Sequence, residues 1–414
     1  MLRIAIPLLW AVTPVVSAAT FEVASDTPPG FPKVKGIRQV TQGPTHHFFG
    51  YYGIFPWDPS GRYLACLESD FADRLVEADD KARICLIDLE TGQLRHLTET
   101  TSWNFQQGAM VHWLSASPRR FIFNDRVDGN VVGIVYDVDS GQRRALDRPV
   151  AAVARNGKTA ISLSFDRLRI TRPGYGYAGG EDPYADDPHP AGDGLYLIDV
   201  ETGKAKLIIS LDQAFRAEPV PPDSEKNLLW FNHVLYSQDD QRIFFLARIH
   251  DADDKRQSAA FTSNLDGADL RCVLPYSWGA SHYDWGAGRK LLMTSKFQAE
   301  LPWRHVLFTD GDPREKYVAL EHEEFKRDGH CHFSPNGKWI VTDSYPRQDR
   351  MQTLHLMNVQ TKEVALLAKF LEPPKYKGDW RCDLHPRWSR DSTQICIDST
   401  HDGTRQVYIV ELGP

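Results

Sequence analysis

Four histidines stand at nearly the same distance from a turn in the second half of the chain. His233 lies seven residues before Asp240, His282 six before Gly288, His330 seven before Gly337 and His385 six before Asp391. Each occupies the start of a strand that runs into a hairpin turn. Imidazole exchanges protons near neutral pH and ligates metals, so four in equivalent places point to a shared polar funnel. His330 and His332 are two apart, which on a strand sets both on one face and Cys331 on the other. Cys382 and His385 have a C-x-x-H spacing that suits a soft divalent ion. With His330 and His332 they make a candidate site for zinc or a similar metal, structural or catalytic, against the alternative of a hydrogen-bonded channel without metal.

No G-x-S-x-G, H-E-x-x-H or Walker sequence is present. Carboxylate pairs of the kind that hydrolyse glycosides are not conspicuous near these histidines. His, Tyr, Arg, Asn and Gln predominate instead. That inventory suits β-elimination from a uronic acid, which needs a cation or donors on the carboxylate, a base for the C5 proton and an acid for the leaving oxygen. Asn104, Gln107 and Arg126 are candidate substrate donors, with satisfied strand ends as the alternative. His46, His47 and Tyr51, in the segment HHFFGYY, are a candidate sugar platform or else aromatic core. Tyr175 and Tyr177 fall in a Gly-, Pro- and Asp-rich stretch (173–194) that reads as a surface loop between the third and fourth repeats.

Positioning such residues requires a repeated scaffold, and the chain contains one. WDPSGRYLACLES with ICLIDLETGQLRHLT is the first copy of a unit made of strand, polar turn and apolar strands. The later copies begin at WLSASPRRFIFND, VARNGKTAISLSF, YSQDDQRIFFLAR, DWGAGRKLLMTS, FSPNGKWIVTD and WSRDSTQICID. Seven such units bury their apolar faces only by stacking on neighbours, so the expected fold is all-β, a seven-bladed β-propeller. The innermost strand of each blade lines the channel, which is where the four histidines fall.

Arg3, the apolar run Ile4–Val16 and the small residues Ser17 and Ala18 read as a secretory signal, leaving 19–414 as one propeller domain. The protein is therefore expected to be exported, periplasmic or secreted, and monomeric, with no membrane span. A formal charge of −7 and the lack of a basic run argue against nucleic acid. An acidic polysaccharide or oligosaccharide would need a local cationic site. Six cysteines are too few for a disulfide scaffold, and Cys66, Cys85 and Cys396 sit in apolar strands as expected core.

The runs GHCHFSPNGKWIVTD and CDLHPRWSRDSTQICIDSTHDGTRQVYIVEL, with HHFFGYY and SHYDW, resemble the oligogalacturonate lyases. The resemblance implies Arg256 as Brønsted base, His282 as an active-site histidine, and His330 and His385 as two metal-binding histidines. Cys382 stands where that family has a metal-binding glutamine, and Arg387 where it has a third histidine. These departures leave room for zinc in place of manganese, or for Arg387 holding a substrate carboxylate. The chain is also similar to the ulvan-lyase propellers, which pair His and Tyr as base and acid; His233, Tyr175 and Tyr177 are the candidates on that resemblance. The expectation is a polysaccharide lyase acting on a uronate-containing glycan. The alternative is a non-catalytic periplasmic propeller that binds or scaffolds.

Overall fold

The computed structural model describes residues 20–297 and 302–414. The proposed signal segment lies outside them. Seven antiparallel sheets form a seven-bladed β-propeller. Blade 1 runs from His46–Phe48 to Leu94–Thr100, blade 2 from His112–Trp113 to Arg143–Ala145, and blade 3 from Ala152–Val153 to Ala205–Ser210. Blade 4 runs from Trp230–Tyr236 to Arg271–Leu274, blade 5 from Ala280–Trp285 to Val318–Ala319, and blade 6 from His332–Phe333 to Val364–Leu371. Blade 7 has only three strands of its own, Arg387–Trp388, Gln394–Ser399 and Gln406–Gly413. Its outer strand is Lys33–Gln39 from the start of the chain, with Lys33 opposite Gly413 and Gln39 opposite Tyr408. Phe21–Val23 adds a fifth strand to blade 6.

The repeated turn has a repeated physical cause. In blades 4, 6 and 7 a serine hydroxyl accepts from the amide five residues on: Ser237 from Arg242 at 2.9 Å, Ser334 from Trp339 at 3.0 Å and Ser389 from Gln394 at 2.9 Å. The same hydroxyls donate to Asp239, Asn336 and Asp391. Short polar side chains thus close the turn that a bare backbone would leave partly unbonded. The strands that follow are apolar on both faces because neighbouring blades cover them. Cys66, Cys85 and Cys396 lie in such strands and are buried. Tryptophans tie blades together: Trp388 is fully buried and donates to His332 O at 3.2 Å, and Trp113 donates to Pro56 O at 2.9 Å. Burying one such ring contributes roughly 2–3 kcal/mol.

The aromatic insertion sits differently from the sequence expectation. It lies inside blade 3, between Thr159–Ser162 and Gly194–Asp199, and not between blades three and four. It opens with a short helix, Phe165–Thr171, capped by Ser164. Nor is it only a surface loop, because Tyr175 and Tyr177 are buried. Arg167 folds it back: it pairs with Asp182 at 3.0 Å and donates to the carbonyls of Tyr184, Asp187, Pro188 and Leu229. Among the described residues no helix is long and apolar enough to cross a membrane.

Candidate active site

The four histidines occupy breaks in the innermost strands. His233 is the extra residue where pairing shifts between Asn232 and Val234, and its φ is 56°. His282 falls in the shift between Ala280 and Tyr283. His330 and His385 come just before the paired segments of blades 6 and 7, and His385 has φ 45°. A left-handed backbone at a non-glycine residue costs about 1–2 kcal/mol, and a bulge re-aims the side chain that carries it. Here the effect is convergence. Ring centroids of His282 and His330 are 4.0 Å apart, and those of His330 and His385 are 4.2 Å apart. His233 stacks on Tyr51 at 4.6 Å, and Tyr51 meets His385 edge-on at 5.2 Å.

Carboxylates fix the rings. His282 Nδ1 lies 2.8 Å from Asp328, which also accepts from Ser281 at 2.8 Å and Thr294 at 2.5 Å. His330 Nδ1 lies 2.8 and 3.0 Å from the two oxygens of Asp343, and His385 Nδ1 donates to Gly50 O at 2.8 Å. With both Nδ1 atoms engaged as donors, the Nε2 atoms of neutral His330 and His385 present lone pairs to each other at 3.1 Å. Burial pulls the His330 pKa down, but the Asp343 carboxylate outweighs it and the net shift is upward. Burial and then His330 push His385 far below its ordinary value. Asp383 lies 3.8 Å from His385 Nε2, and neither of its oxygens accepts a hydrogen bond, although Arg381 Nε is 2.8 Å away. His330, Asp383 and His385 offer donor atoms within 4.8 Å of one another. Two imidazole lone pairs and an underused carboxylate fit a divalent cation of the zinc or manganese type.

The expected ligand set needs two corrections. His332 does not join His330: it lies 3.9 Å from Asp284 and faces another part of the channel. The reason is that His330 precedes the paired segment His332–Phe333, so strict alternation does not extend to it. Cys382 points into the core, where burial raises its thiol pKa and disfavours the thiolate that binds metals. Its neighbour Asp383, which sequence reasoning missed, is the residue whose oxygen lies with the imidazole nitrogens of His330 and His385. Among the described residues a second trio with metal-like donors, Glu68, Cys85 and His96, is an ion-pair cluster around Arg83, which contacts both Glu68 and Asp70.

Several expected substrate contacts are structural. Arg387 is fully buried, bonded to Asp398 at 2.9 Å and to the carbonyls of Gly50 and Tyr51, so it has no free donor fork for a substrate carboxylate. His47 is locked between Glu68 at 2.9 Å and Gln406 at 3.0 Å, and His46 accepts from the Arg405 amide at 3.2 Å. Asn104 donates to Tyr175 O at 3.0 Å and Arg126 to Ala178 O, so both hold the insertion in place. Tyr177 stacks on Phe165 at 4.4 Å, its hydroxyl accepts from Asn124 at 3.2 Å, and burial raises its pKa. Gln107 lines the channel beyond Tyr51.

Tyr175 does reach the cluster, in edge contact with His233 at 5.6 Å. It is surrounded by cations that the sequence did not single out. The Arg172 guanidinium lies 3.5 Å from its ring centroid, and Arg381 donates to its hydroxyl at 3.2 Å. Burial would raise the Tyr175 pKa, but Arg172 and Arg381 override it and the net shift is downward. Arg248 is buried with Nη1 unpartnered, and burial, then Arg172 and Arg256, lowers its pKa. Arg256 keeps much of its side chain in solvent, yet the protein packed around it and then Arg172 depress its pKa too. Among the described residues Arg172, Arg248 and Arg256 form no salt bridge. A signal for Arg248 was available, since it is a lone cation in the apolar run IFFLARI.

No family model and no curated protein sequence matches the chain. Solved structures share its fold. An oligogalacturonate lyase from Vibrio parahaemolyticus has a TM-score of 0.63 at 16% identity, over 94% of this chain and 96% of that one. An oligogalacturonate lyase in complex with manganese has a TM-score of 0.65 at 18% identity, over 95% of this chain and 96% of that one. The tricorn protease matches 90% of this chain with 35% of its own, at a TM-score of 0.52 and 11% identity. At these identities the likeness establishes the propeller, which carries more than one activity.

Proposed function

We propose that this protein is a polysaccharide lyase that cleaves a uronate-containing glycan or oligosaccharide by β-elimination. The observation that carries the reading is the set of unpaired guanidiniums, Arg172, Arg248 and Arg256, gathered beside Tyr175 and the histidine cluster. Arg248 is buried and Arg172 partly so, and cations that repel one another beside a buried guanidinium are costly to hold; an anionic substrate offsets that cost. Arg172 and Arg248 would hold the uronate carboxylate and make the C5 proton more acidic. Arg256, the most exposed of the three, would take that proton in its neutral form, which its depressed pKa makes more accessible. The C5–H electron pair becomes the C4–C5 double bond, the C4–O bond breaks, and Tyr175 donates a proton to the leaving oxygen. His282, aligned by Asp328, would position the reacting sugar. His330, Asp383 and His385 would hold a divalent cation, which would supply further positive charge at this mouth. The fold neighbours named oligogalacturonate lyases support the same class of substrate.

The test is ultraviolet absorbance of 4,5-unsaturated uronate over a panel of acidic glycans, with and without chelator. A rise on one member is expected, and Arg256→Ala and His282→Ala should each reduce it at least about a hundredfold with the fold intact. The burial of all four histidines, each at most 6% exposed, favours a second reading as a binding module. A folded protein that binds acidic glycan but produces no absorbance would establish that reading instead.

A further inference from the structure

The innermost strands that carry His233 and His282, or follow His330 and His385, end in a different environment. In blades 4 and 5 they finish at Tyr236 and Trp285, which line a cavity of about 300 Å³ on the far side of Tyr51, Tyr52 and His233. Its walls include Phe55, Trp113 and Trp285, flat faces of the kind that stack on a sugar ring. Five of its lining residues carry an unpartnered polar atom: Gln107 Oε1, His112 Nε2, Trp285 Nε1, His332 Nδ1 and Arg390 Nε are buried and make no hydrogen bond. Gln107, Trp285 and His332 are 5%, 2% and 7% exposed. Buried polar groups are almost always satisfied, so five such residues around one cavity favour an occupant that brings donors and acceptors of its own.

Charge narrows the occupant. Arg155 and Arg390 line the cavity, and among the described residues neither forms a salt bridge; Arg390 lies 4.6 Å from the Phe55 ring centroid. The one carboxylate facing the same space, Asp284, already accepts from the Phe333 amide at 2.6 Å and lies 3.9 Å from His332. We infer that the channel has a second binding site at the mouth opposite the histidine cluster, for a small hydroxylated carboxylic acid the size of one sugar ring. The acid group would pair with Arg390 and Arg155, the hydroxyls with Gln107, His332 and Trp285, and the ring faces with the aromatic walls. An aromatic acid without hydroxyls would leave those polar atoms orphaned, and a neutral sugar would leave the guanidiniums unpaired.

D-Glucuronate and D-galacturonate are the probes, titrated into the whole protein and followed by calorimetry and by tryptophan emission, to which Trp113 and Trp285 contribute. At least one should bind about tenfold or more tighter than D-glucose and than benzoate. Arg390→Met and Arg155→Met should each weaken it about tenfold, with unchanged thermal midpoints, while Arg256→Ala leaves it intact. The inference is overturned if no probe binds up to about 10 mM. It is equally overturned if D-glucose or benzoate binds as well. Binding lost in Arg256→Ala and kept in both methionine variants would place the acid at the other mouth, with the same consequence.

Discussion

Tyr175 and Tyr177 are two residues apart in one loop, yet their environments are opposite in sign. Tyr175 is bracketed by Arg172 and Arg381, which stabilise its phenolate, whereas Tyr177 is buried against Phe165 with only the neutral Asn124 amide and Gly108 carbonyl at its hydroxyl. Tyr175→Phe should therefore lower kcat on the responsive glycan about a hundredfold or more with little change in KM. Tyr177→Phe should leave kcat within about twofold and cost on the order of 1 kcal/mol in urea unfolding. Equal effects of the two on kcat would remove Tyr175 from the chemistry. The metal assignment is separable in the same way. His385→Ala and Asp383→Asn should abolish zinc or manganese binding in equilibrium dialysis at pH 7. Cys382→Ala should not, because its thiol lies in the core and its pKa is raised. Loss of metal in the cysteine variant with retention in Asp383→Asn would restore the ligand set expected from the C-x-x-H spacing.

The elements explain why some of this was legible in the sequence and some was not. Seven blades could be read because each carries its own turn chemistry and apolar strands, a signal confined to about a dozen residues. The histidines could be aligned because their offset from the turn repeats. Their partners could not: Asp328 and Asp383 lie in irregular segments just before the innermost strands, where no period sets side-chain direction. Arg387 looked like a substrate anchor only because its partner, Asp398, is on the neighbouring strand of the same blade. The inward turn of the Tyr175 loop depends on Arg167 meeting Asp182 fifteen residues on, a contact that no local pattern announces. Ring closure by the start of the chain gives an element-scale prediction. Among the described elements, removing residues 1–24 deletes one strand, Phe21–Val23, whose Phe21 and Val23 are 40% and 41% exposed, and should lower the thermal midpoint by no more than about 2 °C. Removing residues 1–40 also deletes Lys33–Gln39 and the buried Phe31, and bares the edge of blade 7. Its midpoint should fall by about 5 °C or more, with aggregation through the open edge. Similar midpoints for the two truncations would show that the outer strand does not secure the ring.

For the whole molecule, the number of buried neutral histidines makes stability depend on pH in a window set apart from the carboxylates. His305, between Phe325 O at 3.1 Å and Thr342 Oγ1 at 3.2 Å, is held by burial at a pKa of about 4. His355 is likewise held at about 4, first by burial. In the unfolded chain both titrate near the ordinary value of 6.5. A folded pKa below the unfolded one means that the unfolded state takes up the proton first as pH falls. The contribution is therefore fully present above 6.5 and drains away between 6.5 and 4, on the order of 3 kcal/mol for His305. Asp328 and Asp343 also have folded pKa values below their ordinary 3.8, held there by His282 and His330 against the opposing effect of burial. Their loss follows only as pH falls below that value. Urea midpoints measured from pH 7.5 to 4.5 should thus decline steeply while these carboxylates are still ionised. His305→Asn, which removes one of the buried imidazoles, should flatten the decline by about one residue's share whatever it does to the midpoint at pH 7.5. A variant whose midpoints fall in parallel with those of the original protein would show that burial of His305 is not a source of the acid sensitivity.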